Sequence, residues 1–294
     1  MNERLVFPSP TLMRRRVSIG FALLLLGATL SASAQSVWTT PPRHVDQVSV
    51  EWLKPFFNDG DDVSALTSTF VISAQATLTD RLMFVGELPM AHARFNSLPQ
   101  FRDAETPSTS LGNPYFGLEV RSPDAPLFLE VGLRPPTTEN PGLLPSAIGS
   151  LADLNRLSAY VVDQIPFQLV GNYYYDPASS PLSAGLRVGP EVIFPATGDA
   201  PATMVLTYGT QGWYIDTDGW LRAGVGLTGR WNTGREAGFG ESSLHHVTTT
   251  LQGTFGDVQP GVVVRFPLEA SYREAFEAVI GLTITVSLSE GPDP

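Results

Sequence analysis

The sequence predicts an all-β protein, a closed antiparallel transmembrane β-barrel of about 12 strands with long external loops and short periplasmic turns. Three observations predict this fold class. Apolar and polar residues alternate with a period of two in repeated segments. Short and long connections between these segments follow one another in regular order. The chain also begins with an export signal, which is required to reach an outer membrane.

Composition and charge exclude several classes of protein. The chain has 294 residues, of which 43% are hydrophobic and 16% charged, so it is not a disordered protein. A formal net charge of −11 argues against nucleic acid as a partner, because the phosphate backbone requires a basic surface. The absence of cysteine excludes disulfides and thiolate metal sites.

Residues 1–34 have the three parts of a secretory signal peptide. Three consecutive arginines, residues 14–16, precede the apolar run Val17 to Leu30, which is too short to cross a bilayer as a helix. Small residues at Ala32 and Ala34 then form an A-x-A cleavage site. We interpret residues 1–12 as an upstream extension, because Met13 begins a complete signal by itself. An uncleaved anchor is the alternative. Residues 35–294 are predicted to form a single β-barrel domain.

Twelve segments show the alternation expected of strands with one apolar and one polar face. In residues 182–194, for example, Leu182, Leu186 and Val188 lie on one face and Arg187 and Glu191 on the other. The predicted strands are 47–56, 66–78, 81–90, 113–121, 127–134, 164–175, 181–194, 202–215, 219–231, 244–256, 258–267 and 276–288.

The lengths of the connections favour a membrane barrel over a soluble sandwich. Connections after the even-numbered predicted strands are tight turns, such as Thr79-Asp80 and Gly256-Asp257. Most of those after the odd-numbered strands are long, notably residues 91–112 and 135–163. Outer-membrane barrels have short periplasmic turns at one end and long external loops at the other. In a soluble β-sandwich, short and long loops are not expected to alternate along the chain.

The apolar strand face is expected to meet lipid and the polar face to line the lumen. Since hydrocarbon cannot form hydrogen bonds with the backbone N–H and C=O groups of an open sheet edge, every strand must pair on both sides. Charged residues recur on the polar face, and we predict that they line a pore: Glu87, Glu119, Glu130, Arg187, Glu191, Arg222, Arg265 and Glu277. Aromatic residues near strand ends fit interfacial girdles: Trp52, Phe194, Trp213, Tyr214, Trp220, Trp231 and Phe266.

One long loop, residues 135–163, is predicted to contain a helix. Ser150 and Asp153 have the spacing of a capping box, and apolar residues follow at helical spacing to Val161. The helix is interpreted either as a plug in the lumen or lid at its mouth, or as a surface helix packed on neighbouring loops.

The sequence offers no convincing catalytic, metal or cofactor site. The four histidines are His44, His92, His245 and His246; the last two are adjacent on a strand and so point to opposite faces. The G-x-G-x-x-G match at residues 224–229 lies within a strand, which argues against dinucleotide binding. The acidic turn at residues 58–62 lacks the ligand ladder of a calcium loop. We therefore expect no catalytic residue, no metal and no cofactor.

Two short stretches resemble outer-membrane barrel transporters of the phenol-degradation (meta-pathway) type. They are residues 111–119, with Gly112-Asn113-Pro114 at a strand entry, and residues 79–89, with Glu87-Leu88-Pro89. The resemblance implies a barrel that passes small, often apolar compounds, and carries over no functional residues. The last strand of that family commonly ends in an aromatic residue, whereas here Leu288 precedes a polar tail.

The sequence therefore predicts a porin-like passive channel for small solutes in the outer membrane of a Gram-negative bacterium. Its expected partners are outer-membrane lipid, a small-molecule solute and, during biogenesis, the barrel-assembly machinery. One alternative is a barrel enzyme acting on lipid, with polar catalytic groups at the lipid-facing rim and a requirement for His246. The other is a structural or adhesive barrel with a closed lumen.

Overall fold

The computed structural model describes residues 45–58, 67–94, 108–122, 125–138, 142–177, 180–198, 200–234 and 238–288. The predicted signal peptide and His44 lie outside these ranges. The strands are β1 (Gln47–Phe57), β2 (Ser68–Thr79), β3 (Leu82–Ala93), β4 (Ser108–Leu111), β5 (Tyr115–Arg121), β6 (Leu127–Leu133), β7 (Gln164–Tyr175), β8 (Leu182–Pro195), β9 (Thr203–Ile215), β10 (Leu221–Asn232), β11 (Ser243–Gly253), β12 (Val258–Pro267) and β13 (Phe276–Ser287). The helices are α1 (Leu143–Ala152), a 3-10 helix (Leu154–Tyr160), α2 (Phe239–Ser242) and α3 (Ala270–Ala275).

Within the described residues, twelve strands pair antiparallel in a closed ring. Each strand pairs with its neighbours along the chain, and β13 pairs with β1 from Gln47↔Ser287 to Phe57↔Phe276. The short strand β4 extends the ring by pairing with the end of β3. Closure satisfies the backbone hydrogen bonds of both sheet edges, and it confirms the predicted closed antiparallel barrel of twelve strands.

The barrel is apolar outside and polar inside, the reverse of a water-soluble protein. Every strand of the described ring exposes a large apolar side chain: Val50, Ile72, Met90, Leu118, Leu129, Leu169, Leu186, Met204, Val225, Leu251, Val262 and Ile284. The alternate positions bury polar side chains, for example Gln75, Arg187 and Thr248. An apolar belt around a polar interior, with short turns at one end and long connections at the other, is the architecture of outer-membrane barrels.

The predicted strand at residues 113–121 differs most from the observed fold. Two strands, β4 and β5, pair with successive parts of β3 and are separated by Gly112-Asn113-Pro114. Pro114 has no N–H to donate to a ladder, and the backbone N–H of Asn113 bonds to Ala159 O at 2.6 Å instead. One barrel strand is therefore interrupted where it meets the connection between β6 and β7.

Glu277 does not face the lumen, so its predicted place there is wrong. The pairing of β1 with β13 shifts between Phe56↔Ala278 and Phe57↔Phe276, which leaves Glu277 as the extra residue of a β-bulge. The bulge reverses the alternation, so that both Phe276 and Val279 are buried and Glu277 is exposed. Strict alternation, extended from the centre of β13 towards its first residue, assigns Glu277 to the inner face and therefore misses this reversal.

Two other expectations are corrected. The helix of the long connection ends at Ala152 instead of beginning at Ser150, and Asp153 caps the following 3-10 helix by accepting from Asn155 N at 3.0 Å. Trp213 belongs to no outer girdle: it is buried and packs edge-on against Tyr174, at 5.8 Å between ring centroids.

Across the described ranges, no helix is both long and apolar enough to cross a bilayer.

Candidate functional site

The connection between β6 and β7 enters the barrel and crosses its lumen. Helix α1 contacts β1 to β4, and the 3-10 helix contacts β10 and β11 on the other side. Ile148, Leu154 and Tyr160 are buried in this segment. A Cβ on Gly149 would lie 2.4 Å from the Tyr160 ring, so glycine allows the two helices to pack closely. We call residues 142–160 the inner segment.

Arg156 attaches the inner segment to the barrel wall through buried ion pairs. Its Nη1 donates to Glu51 Oε2 at 2.7 Å and to Asp153 Oδ2 at 2.5 Å, and its Nε donates to Glu87 Oε1 at 2.9 Å. Glu51 lies on β1 and Glu87 on β3. Burial acts to lower the pKa of Arg156, but the charges of Glu87, Glu51 and Asp153 outweigh it and raise that pKa above its ordinary value.

Two wall arginines complete this set of charges. Arg265 on β12 donates to Glu51 Oε1 at 3.1 Å and to Ala152 O at 3.0 Å, and it lies 3.2 Å from Asp153 Oδ2. Arg134 donates to Glu87 Oε2 at 2.6 Å. Three carboxylates thus face three guanidinium groups, and we call these six residues the plug network: Glu51, Glu87, Arg134, Asp153, Arg156 and Arg265.

Asp153 shows how strongly the network holds its charged form. Burial acts to raise the pKa of this carboxyl group, whereas the charges of Arg265 and Arg156 lower it. The attraction to the two arginines outweighs the effect of burial, so the pKa of Asp153 falls from 3.8 to about 2. The two guanidinium groups therefore favour the ionised form of Asp153 in this position.

Asn113 joins the wall to the two ends of the connection between β6 and β7 by polar contacts. Its side-chain amide donates to Val161 O at 2.7 Å, and its Oδ1 accepts from Thr137 N at 3.0 Å and Thr138 N at 3.1 Å. Asn113 is fully buried. The Gly-Asn-Pro stretch noted in the sequence thus fixes both ends of the connection.

A second group of polar side chains fills the lumen beside the inner segment. Glu130 accepts from Tyr115 Oη at 2.6 Å, from Gln168 Nε2 at 2.9 Å and from Arg187 Nη1 at 2.8 Å. Arg121 pairs with Glu119 at 2.6 Å. Because Glu130 is only 1% exposed and Arg187 6%, side chains rather than solvent occupy this part of the lumen.

The remaining predicted pore residues have separate partners. Glu191 pairs with Arg230, whose Nη1 also donates to Asn155 O of the inner segment at 3.3 Å. Arg222 donates to Gln259 Oε1 at 3.3 Å. Seven of the eight predicted residues thus face the interior; Glu87 and Arg265 belong to the plug network, and Glu277 is outside.

The sequence reasoning missed four members of the plug network. Glu51 follows Gln47 and Ser49 on one face of β1, so its inward position could have been found from the alternation. Arg134 directly follows β6 and could have been inferred in the same way. Asp153 and Arg156 lie on short helices whose position in the lumen has no local signal. Only the fold shows that they reach the wall.

Two cavities lie at opposite ends of the lumen. A cavity of about 630 Å³ at the long-loop end is bounded by Leu157, Val161, Ile193 and Tyr272, with Arg230 among its polar groups. A cavity of about 420 Å³ at the short-turn end is lined by residues that include Asp80, Arg121 and Tyr174. The space inside the barrel is therefore divided into two cavities, with the inner segment and packed polar side chains between them.

The histidines that the structure describes do not gather at one site. His92 bonds to Thr109 Oγ1 at 2.8 Å, and His246 points inward to Thr228 Oγ1 at 2.5 Å. His245 points to the outer face, as the strand pattern predicts. In the described part of the chain, no three histidine or carboxylate side chains are grouped to hold a metal ion.

Comparisons with known proteins add no family assignment. No family model matches the chain, and no curated protein does. Among solved structures, the NanC porin covers 83% of this chain and 100% of its own, at 9% identity and a TM-score of 0.48. The translocator domain of the autotransporter NalP from Neisseria meningitidis covers 95% and 97%, at 8% identity and a TM-score of 0.49. The toluene transporter TodX of P. putida covers 85% and 92%, at 9% identity and 0.43.

These three proteins are a porin, a translocator domain and a toluene transporter, and each shares 9% or less of its sequence with this chain. Likenesses at this level carry no functional argument. The resemblance to phenol-degradation transporters is tested by none of them and stays a prediction.

Proposed function

We propose that this chain spans the outer membrane and passes small solutes through a lumen that the inner segment closes at rest. The observation that carries the proposal is the docking of a loop segment inside the barrel by charges rather than by apolar contacts alone. Buried ion pairs are weak contributors to net stability, because desolvation offsets their attraction. Such contacts can be exchanged for water when the segment moves.

The membrane placement rests on the outer face. Every ring strand in the described ranges exposes large apolar side chains, such as Leu129, Leu186 and Val225. Soluble monomers rarely expose contiguous apolar patches above a few hundred Å². A belt that surrounds the whole barrel therefore fits contact with acyl chains.

The cavity at the long-loop end suggests the class of solute. Leu157, Val161 and Ile193 form apolar walls, and Arg230 supplies guanidinium donors. A small amphipathic molecule with an apolar body and one hydrogen-bond acceptor would fit such a site. The solute would stay bound in this cavity until the inner segment moves and connects it with the cavity at the other end.

A charge on the outer belt should destabilise the folded barrel in a bilayer. We expect Leu186→Arg to lower the free energy of unfolding by about 2–4 kcal/mol, the cost of arginine near the bilayer midplane. Urea unfolding in lipid vesicles, followed by tryptophan fluorescence, measures it. Leu186→Ala is the control for lost bulk. Equal stability of the arginine and alanine variants would contradict lipid contact at this position.

A cross-link between wall and inner segment should abolish solute flux. Ala91 on β3 and Ala159 of the inner segment belong to one buried cluster with Tyr160. The chain has no cysteine, so Ala91→Cys with Ala159→Cys provides a single thiol pair. In liposome-swelling assays with small sugars and aromatic acids, we expect the oxidised variant to be inactive and dithiothreitol to restore flux.

Each single-cysteine variant serves as the control and should conduct under both conditions. Mass spectrometry of the purified protein verifies the disulfide. Undiminished flux through the cross-linked barrel would show that solutes do not need movement of the inner segment. Absence of flux through correctly folded wild-type protein would favour the closed structural barrel instead.

A further inference from the structure

Three side chains form a hydrogen-bonded chain on the outer face of the barrel. The hydroxyl of Tyr208 on β9 bonds to His245 Nε2 on β11, and His245 Nδ1 lies 2.6 Å from Glu269 Oε1, just after β12. His245 is the third residue of β11 and Glu269 follows β12, so both lie at the long-loop end of the barrel. Tyr208 is the sixth residue of β9 and reaches His245 across β10. Their side chains point away from the lumen and from the plug network, so the proposed transport path does not use them.

Gly229 makes this arrangement possible. It lies on β10 between the other two strands, directly opposite Tyr208 on one side and His245 on the other. A Cβ at this position would lie 2.6 Å from the Tyr208 ring and 2.7 Å from the His245 ring. The two rings meet across β10 only because the residue between them has no side chain.

The partners fix the tautomer of His245. A carboxylate can only accept, so the proton of the neutral imidazole lies on Nδ1, next to Glu269. Nε2 is then an acceptor, and the Tyr208 hydroxyl donates to it. The arrangement therefore aims a hydroxyl proton at a base that a carboxylate orients, which is the geometry that activates a nucleophile.

The surroundings form an apolar wall beside the hydroxyl. The ring of Phe239 lies 6.4 Å from the Tyr208 ring and 5.9 Å from His245, and its other side meets Trp231 at 5.5 Å. Phe239 is 52% exposed. In the proposed membrane orientation, this site opens sideways to the lipid in the half of the barrel that carries the long loops, and we place it at the level of the headgroups, where ester bonds of acylated lipids lie.

We propose that Tyr208, His245 and Glu269 form an ester-hydrolysing site for acylated lipids. Tyr208 Oη attacks the ester carbonyl carbon while His245 Nε2 takes its proton. The carbon–oxygen bond to the alcohol then breaks, the alcohol leaves with that proton, and an acyl-tyrosine forms. Water attacks the acyl-tyrosine and gives a proton to His245; the acid departs, and Tyr208 Oη regains the proton. The net reaction converts ester and water into acid and alcohol.

Tyrosine suits the second half of this reaction. A phenolate is a better leaving group than an alkoxide, because phenols are the stronger acids. The acyl-tyrosine is therefore hydrolysed more readily than the lipid ester from which it came. The proposal also reassigns the histidine of the lipid-enzyme alternative: His245 reaches the lipid-facing rim, whereas His246 is buried inside.

The test uses the full-length protein in detergent micelles with p-nitrophenyl decanoate, followed by the release of p-nitrophenolate. We expect wild-type hydrolysis above the micelle blank and a loss of about 100-fold or more in Tyr208→Phe, the scale of general-base and nucleophile contributions. Gly229→Ala keeps all three polar groups but forces the rings apart, so it should lose activity to a similar extent. Tyr214 lies on the outer face of β9, the strand that carries Tyr208, so Tyr214→Phe is the matched control and should be fully active.

A covalent probe separates catalysis from a structural role. Diethyl p-nitrophenyl phosphate should phosphorylate Tyr208, as peptide mass spectrometry would show, and the label should be absent after Glu269→Gln. The heat-dependent shift of each variant on a gel verifies folding. Hydrolysis equal to the blank in folded wild-type protein, or full activity in Tyr208→Phe, would overturn the proposal. Solute flux measured on the same samples is independent of either result.

Discussion

Replacing Arg156 with alanine should open the lumen. Arg156 is the only member of the plug network, among the described residues, that contacts carboxylates of both β1 and β3 and of its own segment. Its removal leaves Glu51, Glu87 and Asp153 facing only Arg134 and Arg265. Removing one partner of a buried ion pair costs about 3–5 kcal/mol, because the other charge stays buried without compensation. This cost raises the free energy of the barrel with the inner segment docked, but not that of a barrel whose segment is released into water.

The expected effect is large enough to see in single channels. At about 1.4 kcal/mol for each factor of ten, the ratio of closed to open barrels should fall by a factor between about 10² and about 4 × 10³. Planar-bilayer recordings of purified protein measure this ratio as open probability. We expect brief, rare openings in wild type and long openings in Arg156→Ala.

Two variants control for this result. Arg156→Lys keeps the charge but loses the planar fork that reaches three carboxylates, so its open probability should lie between the other two. Arg273→Ala removes an exposed arginine of α3 and should behave as wild type. If Arg156→Ala folds, as judged by the gel shift, and conducts no more than wild type, the inner segment does not close the lumen.

The strands were predictable because a barrel imposes one local rule along its whole length. Lipid on one side and the lumen on the other require a period of two, and turn residues such as Asp216 and Gly219 mark where it stops. The rule fails where geometry departs from regular pairing. The bulge at Glu277 adds one residue, and the interruption at Asn113 replaces ladder bonds with contacts to a distant segment.

The functional interior was predictable only in part, for a related reason. Inward charges such as Glu130 and Arg187 follow from strand alternation, but their partners depend on which strands become neighbours in the ring. The inner segment is harder still, because its helices are short and its docking relies on side chains more than sixty residues apart, such as Glu87 and Arg156. The same holds for Tyr208 and His245, which meet only because Gly229 lies between them.

Acid should open the barrel in a pH window set by Asp153. Arg265 and Arg156 hold the pKa of this docked carboxyl group at about 2, against 3.8 when it is free. A lowered pKa means that the ionised group stabilises the docked form fully above pH 4. This contribution is lost as the pH falls through 2. At about 1.36 kcal/mol per pKa unit, it is on the order of 2 kcal/mol, or some tens-fold in the closed-to-open ratio.

Single-channel open probability recorded from pH 7 to pH 2 measures the window. For wild type, we expect a flat response from pH 7 to about pH 4 and a rise below it. Asp153→Asn should be more open at neutral pH, because Arg156 and Arg265 then lack one of their carboxylates, and its further rise in acid should be smaller. Asp163→Asn is a matched control, since Asp163 is exposed in the same connection and asparagine tolerates its φ of 53°. A wild-type barrel that already opens between pH 6 and pH 5 would show that a group other than Asp153 controls the docking, because a carboxyl group with a lowered pKa stays ionised throughout that range.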